Sequence, residues 1–277
     1  MSSAPDVHGE VLRQMLRTAT ALDQQNQAVA LHSSIPPESA ARLQELIADL
    51  KPSDCLEIGC AMGVSTLAIV YALERLGHGW HVAIDPNQTG KADGQWNGIG
   101  LTMVGAAGLA HRFTLLEEPS YTALPRLFEQ NRRFDLIFID GWHSFDYTFV
   151  DYFYADLLLR DGGVLIFDDW QMPQVHHVCW FLETHKAYSA ITPSPLAHPL
   201  NPIQRVKDRI FGTGNSSGWG SIRAYRKIRS TVLPWGFFES DFYPWFRLYR
   251  YWMNVRRASK LRRPAGPAIS TSPEVTR

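Results

Sequence analysis

Short, nearly continuous apolar runs recur through the middle of the chain, and segments with helical spacing separate them. Apolar runs without polar alternation are typical of strands that are buried on both faces of a sheet. The runs cover residues 55–58, 81–84, 113–116, 136–139 and 164–167. Because right-handed crossovers place the intervening helices on both faces, this alternation predicts an α/β fold with a doubly wound, mostly parallel sheet.

Helices are predicted wherever apolar residues recur every three or four positions. They span residues 9–31, 38–50, 65–76, 100–110, 120–130, 144–159 and 174–185. Two weaker strand candidates, at 188–192 and 218–225, bring the sheet to about seven strands. The sequence leaves open whether these two strands pair antiparallel at the sheet edge.

Composition divides the chain into a folded body and additions. With 277 residues, of which 45% are hydrophobic and 19% charged, the chain is not wholly disordered. We expect an N-terminal helical segment at 1–32, a domain at 33–228 with a long loop at 194–218, an extension at 229–263, and a disordered tail at 264–277.

The expected location follows from what the chain lacks. Its N-terminus has no apolar signal core, and no uncharged apolar run reaches about 18 residues, so we expect no membrane-spanning helix. The three cysteines, Cys55, Cys60 and Cys179, have no metal-binding spacing and cannot all pair. A reducing, cytoplasmic setting is the simplest interpretation.

The charge is balanced overall but divided along the chain. Residues 223–263 contain 11 Lys and Arg against 2 Asp and Glu, whereas residues 1–222 contain 15 against 24. Ten aromatic residues lie within positions 235–252. Aromatic residues mixed with Arg favour an interface: packing, a homo-oligomer or peripheral membrane contact through 235–263. Nucleic acid is not an expected partner, because no recognised binding module accompanies the patch.

A glycine loop follows the first predicted strand. Gly59 and Gly63 permit a tight strand-to-helix turn and a close backbone approach to a ligand. Because position 61 is Ala, the loop lacks the glycine that admits a pyrophosphate, which disfavours a dinucleotide and a nicotinamide-dependent dehydrogenase. Asp85, at the end of the second strand, suits a ribose.

The acid before this glycine loop and the acid that ends the second strand together resemble the cofactor site of the class I S-adenosylmethionine-dependent methyltransferases, whose sheet is Rossmann-like. The resemblance implies that Glu57 faces the cationic end of the cofactor, that Asp85 accepts from the ribose hydroxyls, and that Ser120 contacts the adenine. The remaining cofactor-binding residues that it implies are Gly59, Ala61, Gly63, Ser65 and Asp140.

Three carboxylates follow the fourth and fifth strands: Asp140, Asp168 and Asp169. The carboxyl ends of adjacent parallel strands meet at one edge of the sheet, so these like charges repel unless they are protonated or bridged by a cation. Mg²⁺ prefers such oxygen ligands. The sequence therefore predicts a magnesium site beside the cofactor.

The string from Phe134 to His143, followed by Asp168-Asp169, narrows the resemblance to the metal-dependent O-methyltransferases of the catechol and macrolide-sugar types. It covers about residues 33–228. It implies that Asp140, Asp168 and Asp169 bind the metal and that His143, with Asp140, is catalytic, His143 as the base. The catechol type has Asp-Asn at the acidic pair, so Asp168-Asp169 favours the sugar branch.

The leading hypothesis is methyl transfer to a hydroxyl of a small molecule, such as a sugar or natural product. Less specific interpretations stay open: the glycines could form a packing turn, and Asp85 or His143 could cap a helix. Asp151 and Asp156 fall within a helix, where solvation or pairing is expected rather than catalysis. The alternative function is a cofactor-binding protein without turnover, whose basic aromatic C-terminus docks a partner or membrane.

Overall fold

A computed structural model of the chain describes residues 7–89, 96–192 and 219–232. Contacts divide the chain into two units, Met1–Thr231 and Val232–Arg277. The predicted loop at 194–218, the tail at 264–277 and nearly all of the extension lie outside the described residues, as does the start of the N-terminal segment. In the described part of the chain, no helix is long and apolar enough to cross a bilayer.

The described helices alternate with strands as the sequence predicts. The helices are α1 (Val7–Thr18), α2 (Pro37–Leu50), α3 (Val64–Leu76), α4 (Ile99–Ala106), α5 (Ser120–Glu129), α6 (Phe145–Leu158) and α7 (Pro173–His185). The strands are β1 (Thr20–Leu22), β2 (Ala28–Ala30), β3 (Asp54–Ile58), β4 (Trp80–Ile84), β5 (Phe113–Leu116), β6 (Phe134–Ile139), β7 (Leu159–Phe167), β8 (Tyr188–Ala190) and β9 (Arg223–Lys227).

The main sheet has seven strands in the order β5-β4-β3-β6-β7-β9-β8. Strands β3 to β7 are parallel, while β9 is antiparallel to both β7 and β8. One buried core joins the sheet to α2, α3 and α4, and a second joins it to α5, α6 and α7. The prediction of a doubly wound, mostly parallel sheet is confirmed, and the two late strands do pair antiparallel.

The predicted helix over 9–31 is wrong beyond Thr18. Ala19 adopts a left-handed backbone (φ 51°), which ends α1, and β1 then pairs with β2 as an antiparallel hairpin. The turn is built by Asp23, whose Oδ1 accepts hydrogen bonds from the backbone N–H groups of Gln25 and Gln27. Local polar bonding of this kind competes with helix formation.

Smaller differences concern element ends. Helix α4 ends at Ala106, four residues earlier than predicted, and a 3-10 turn at Ala110–Arg112 follows. Helix α6 ends at Leu158, and β7 begins immediately at Leu159. Because the chain order reverses between β3 and β6, the switch point of the sheet lies there. In folds of this kind a ligand binds beyond the carboxyl ends of the strands at that point.

Candidate active site

The glycine loop after β3 lies against the end of β6. Gly59 has φ +95°, and a Cβ on it would lie 2.0 Å from the backbone oxygen of Asp140. Gly63 has φ +86°, and a Cβ there would lie 2.8 Å from the Cα of Gly100. Both positions therefore require glycine. Ala61 between them is also left-handed (φ 45°), a conformation that costs a residue with a Cβ about 1–2 kcal/mol.

Asp85 holds this loop in place. Its Oδ2 accepts hydrogen bonds from the backbone N–H groups of Cys60 (3.0 Å) and Ala61 (2.8 Å) and from Nε2 of Gln88 (3.3 Å). Its Oδ1 accepts one, from the backbone N–H of Asn87 (2.8 Å). A carboxylate oxygen has about two acceptor positions, so Oδ1 retains one for a ligand hydroxyl. Asp85 also ends β4 without capping a helix.

Gln88 is a loop contact that the sequence analysis missed. It is fully buried, and its Nε2 also donates to the backbone oxygen of Ala61 (2.7 Å). Its Oε1 is buried without a hydrogen-bond partner among the described residues.

Glu57 lies on β3 just before the loop and is fully buried. Its Oε2 accepts hydrogen bonds from Thr66 Oγ1 (2.6 Å) on α3 and His81 Nε2 (2.8 Å) on β4. Within the described residues its Oε1 has no partner. Ser65, the second residue of α3, is also buried. Of the predicted cofactor residues, Glu57 is the one with an orphaned charged oxygen.

The predicted acidic cluster forms at the ends of β6 and β7. Asp140 and Asp168 share a side-chain hydrogen bond, and Ser221 Oγ donates a short hydrogen bond to Asp168 Oδ1. Burial, and next the negative charge of Asp168, raise the pKa of Asp140 well above its ordinary value. Burial also raises the pKa of Asp168. Both shifts favour the protonated form of these carboxyl groups.

Asp169 is the most exposed of the three acids. Its backbone is left-handed (φ 47°) and its side chain is 45% exposed. Among the described residues, no group of three or more His, Cys, Asp or Glu side chains could hold a metal ion. As placed, Asp140, Asp168 and Asp169 therefore do not fit the predicted Mg²⁺, because Asp140 and Asp168 bond to each other and the three side chains do not converge on one metal position.

His143 lies between the carboxylates. Its Nε2 is 3.5 Å from Asp140 Oδ1 and 3.8 Å from Asp169 Oδ2, and its Nδ1 is buried without a partner in the part of the chain that the structure describes. The residue that caps α6 is Ser144, so His143 is not the helix cap. Trp142 beside it is 74% exposed, a large aromatic surface at the rim of the site.

Asp151 was expected to be solvated or paired; it is not solvated, and its partner is Ser120 on α5. It is 1% exposed and faces a small recess, partly open to solvent, that is also lined by His143, Thr148 and Asp168. Burial raises the pKa of Asp151 to about 6, against which a hydrogen bond from Ser120 acts. Ser120, the predicted adenine contact, thus bonds across to α6.

The pairing predicted for Asp156 is confirmed. Its carboxylate bonds to Lys186 Nζ (2.7 Å) and Tyr188 Oη (2.8 Å), and Lys227 Nζ lies 3.5 Å away. This network lies at the opposite end of α6 from His143 and ties the edge strands to that helix.

Solved structures share this fold. The O-methyltransferase from Bacillus cereus in complex with SAH has a TM-score of 0.55 and 17% identity, over 82% of this chain and 93% of that chain. Cofactor-bound Rv0187 from MTB has a TM-score of 0.54 and 16% identity, over 83% of this chain and 93% of that chain. SAH-bound Podospora anserina methyltransferase PaMTH1 has a TM-score of 0.52 and 17% identity, over 81% of this chain and 88% of that chain. At these identities the likeness establishes the fold.

The doubly wound sheet, the glycine loop at its switch point and the acids beside the adjoining strands agree with the resemblance to the class I methyltransferases. The sequence itself also matches: residues 56–170 fit the family model of a methyltransferase domain. That span runs from β3 through the glycine loop to Trp170. The resemblance to the S-adenosylmethionine-dependent methyltransferases is confirmed, and residues 56–170 form a methyltransferase domain.

Proposed function

We propose that this enzyme transfers the methyl group of S-adenosylmethionine to a hydroxyl of a small-molecule acceptor. The observation that carries the proposal is the close contact between the glycine loop after β3 and the segment after β6 that contains Asp140 and His143. The backbone of Gly59 lies so close to that of Asp140 that there is no space for a side chain at Gly59. A methyl donor on the first loop is therefore delivered beside His143. O-methyltransferases among the structural neighbours support oxygen as the acceptor atom.

The residues of the loop fit the cofactor. S-adenosylmethionine supplies an electrophilic methyl group on a sulfonium, together with an ammonium and a ribose. Glu57 offers an orphaned, buried carboxylate oxygen for the cationic end, and Asp85 Oδ1 has room for one ribose hydroxyl. Gly59 and Gly63 bring backbone against the ligand, with Ala61 and Ser65 as the loop's further contacts. Ser120 then acts at the adenine side.

His143 acts as the general base. An alcohol attacks a methyl group well only as its proton departs, and a base within reach typically contributes about 10²–10⁴-fold in rate. Asp140, 3.5 Å from His143 Nε2, orients the imidazole. The proposed proton transfer to His143 does not require a metal. Assistance by Mg²⁺, predicted from the sequence, is tested by the same assay.

The acceptor class proposed from the resemblance is a sugar or another natural product. We also propose that the protein is located in the cytoplasm, which its three free and buried cysteines support. The alternative function, cofactor binding without turnover, predicts tight S-adenosylmethionine binding but no product with any acceptor.

The experiment follows formation of S-adenosylhomocysteine with a panel of hydroxylated acceptors. We expect His143→Ala to lose about 10²–10⁴-fold in kcat while it still binds the cofactor. His111→Ala, which changes an exposed histidine paired with Glu74, is the matched control and should retain full activity. Equal activity in both variants would remove His143 as the base.

Metal dependence is measured in the same assay with excess EDTA. Unchanged turnover in EDTA would exclude a role for Mg²⁺ in the reaction, and Asp168 would then serve as a hydrogen-bond partner of Asp140. Loss of turnover that Mg²⁺ restores, and that Asp168→Ala abolishes, would support the metal-dependent type instead.

A further inference from the structure

A buried polar group, formed by Glu57, Thr66 and His81, lies beneath the glycine loop. All three side chains are fully buried. They belong to three elements, β3, α3 and β4, and strands β3 and β4 pair so that Cys55 is opposite His81 and Glu57 opposite Ala83. Glu57 and His81 therefore share one face of the sheet as diagonal neighbours.

Both donors of this group bond to the same carboxylate oxygen. Thr66 Oγ1 lies 2.6 Å and His81 Nε2 2.8 Å from Glu57 Oε2. Glu57 Oε1 and His81 Nδ1 are left buried without partners among the described residues. An unsatisfied buried polar atom costs about 1–3 kcal/mol, and more for a charged group. A group that served only to stabilise the core would use these atoms.

The surroundings of Glu57 favour a cationic ligand. Its charge acts on both Cys60 of the glycine loop and Asp140 at the end of β6, so it lies close to each. Within the described ranges, His81 is the basic side chain that pairs with it. The other charged groups nearby are acidic. A ligand that brings a positive charge to Oε1 would relieve this imbalance.

We propose that His81 is a positioning residue for the cofactor: with Thr66 it fixes the Glu57 carboxylate through Oε2 and so presents Oε1 to the ammonium group of S-adenosylmethionine. The inference rests on the proposed function. His81 itself does not touch the cofactor. Its contribution is to stop the Glu57 side chain from rotating toward other partners, which preorganises the acceptor.

The test compares two ligands by calorimetry on the full chain. S-adenosylmethionine has the ammonium group, whereas 5′-methylthioadenosine has the same nucleoside and a methylated sulfur, as a neutral thioether, but lacks the amino-acid end. Loss of a charge-assisted hydrogen bond corresponds to about 10- to 150-fold in affinity. We expect His81→Phe to weaken S-adenosylmethionine by that factor and to leave 5′-methylthioadenosine within about twofold.

Two further variants sharpen the comparison. His81→Gln restores a donor near the same place and should recover most of the affinity. Glu57→Gln should show the same ligand discrimination as His81→Phe, and the double variant should lose little more, because both changes remove one coupled interaction. Equal weakening of both ligands by His81→Phe would overturn the proposal, since it would indicate general damage to the site.

Should the phenylalanine variant fail to fold, the wild-type protein provides the second measurement. With ¹⁵N-labelled histidine, the His81 ring resonances should move when S-adenosylmethionine binds and stay in place with 5′-methylthioadenosine. Resonances that respond alike to both ligands would refute the positioning role. A wild-type protein that binds 5′-methylthioadenosine but not S-adenosylmethionine would instead remove the proposed function itself.

Discussion

Replacement of Asp151 by Asn tests the electrostatics of the recess beside His143. Burial raises the pKa of Asp151 to about 6, from an ordinary value of 3.8. One pKa unit corresponds to about 1.4 kcal/mol, so complete ionisation of Asp151 costs the folded state about 3 kcal/mol relative to the unfolded chain. Asn has nearly the same size and does not ionise, and it therefore avoids this cost.

The sign of the pH dependence follows from the direction of the shift. Between pH 3.8 and 6 the folded protein holds a proton on Asp151 that the unfolded chain has lost. Stability from this site is therefore complete at low pH and is lost as the pH rises through that window. The gain from Asp151→Asn should grow by about 2 kcal/mol between pH 4.5 and pH 7.5.

Urea unfolding of both proteins at the two pH values measures this difference directly. The matched control is Asp156→Asn on the same helix, which removes a carboxylate bonded to Lys186 and Tyr188 and should destabilise the fold at pH 7.5. If Asp151→Asn gives no larger gain at pH 7.5 than at pH 4.5, the buried, uncompensated charge that we infer at Asp151 is refuted.

Three other predictions concern the loop and the extension. Gly59→Ala should lower the free energy of unfolding by about 3 kcal/mol or more, because of the positive φ at Gly59 and its contact with Asp140. Gly105→Ala, which has open space around it, should instead raise the free energy of unfolding by about 0.5–1 kcal/mol. Thermal unfolding of the two variants distinguishes these outcomes. Asp85→Asn should weaken S-adenosylmethionine about 10- to 150-fold and lower the melting temperature, and unchanged affinity by calorimetry would remove Asp85 from the site. Truncation after Val232 should change the oligomeric state measured by sedimentation if the aromatic residues of 235–263 form a dimer interface. An unchanged oligomeric state, together with loss of binding to anionic liposomes, would favour membrane contact.

The parallel core could be predicted because each strand carries its own signal. Strands β3, β4, β5, β6 and β7 are mainly apolar, and the glycine loop, Asp85, Asp140 and Asp168 directly follow strand ends. The N-terminal hairpin could not be predicted from periodicity, since α1 and the hairpin share apolar spacing. The signal that was present is the turn Asp23 to Asn26, whose polar side chains favour a turn over a helix.

The site residues that sequence analysis missed depend on tertiary packing. Asp151 lies in a helix whose polar positions do not reveal which side faces α5, so its burial followed only from the packed structure. His81 could have been noticed as a histidine within an otherwise apolar strand. Ser221, which bonds to Asp168 from 53 residues further along the chain, has no local signal at all.

The order of the edge strands has a consequence for synthesis of the enzyme on the ribosome. Strand β9 inserts between β7 and β8 although it follows both in the chain, and β8 pairs in the sheet through β9. A nascent chain that has emerged only as far as Thr192 contains β3 to β7 and the glycine loop, but β7 is still an open edge and Asp168 still lacks Ser221. Translation must therefore pass residue 227 before the acidic end of the cleft is complete, so an incomplete chain could fold its core without carrying a finished active site.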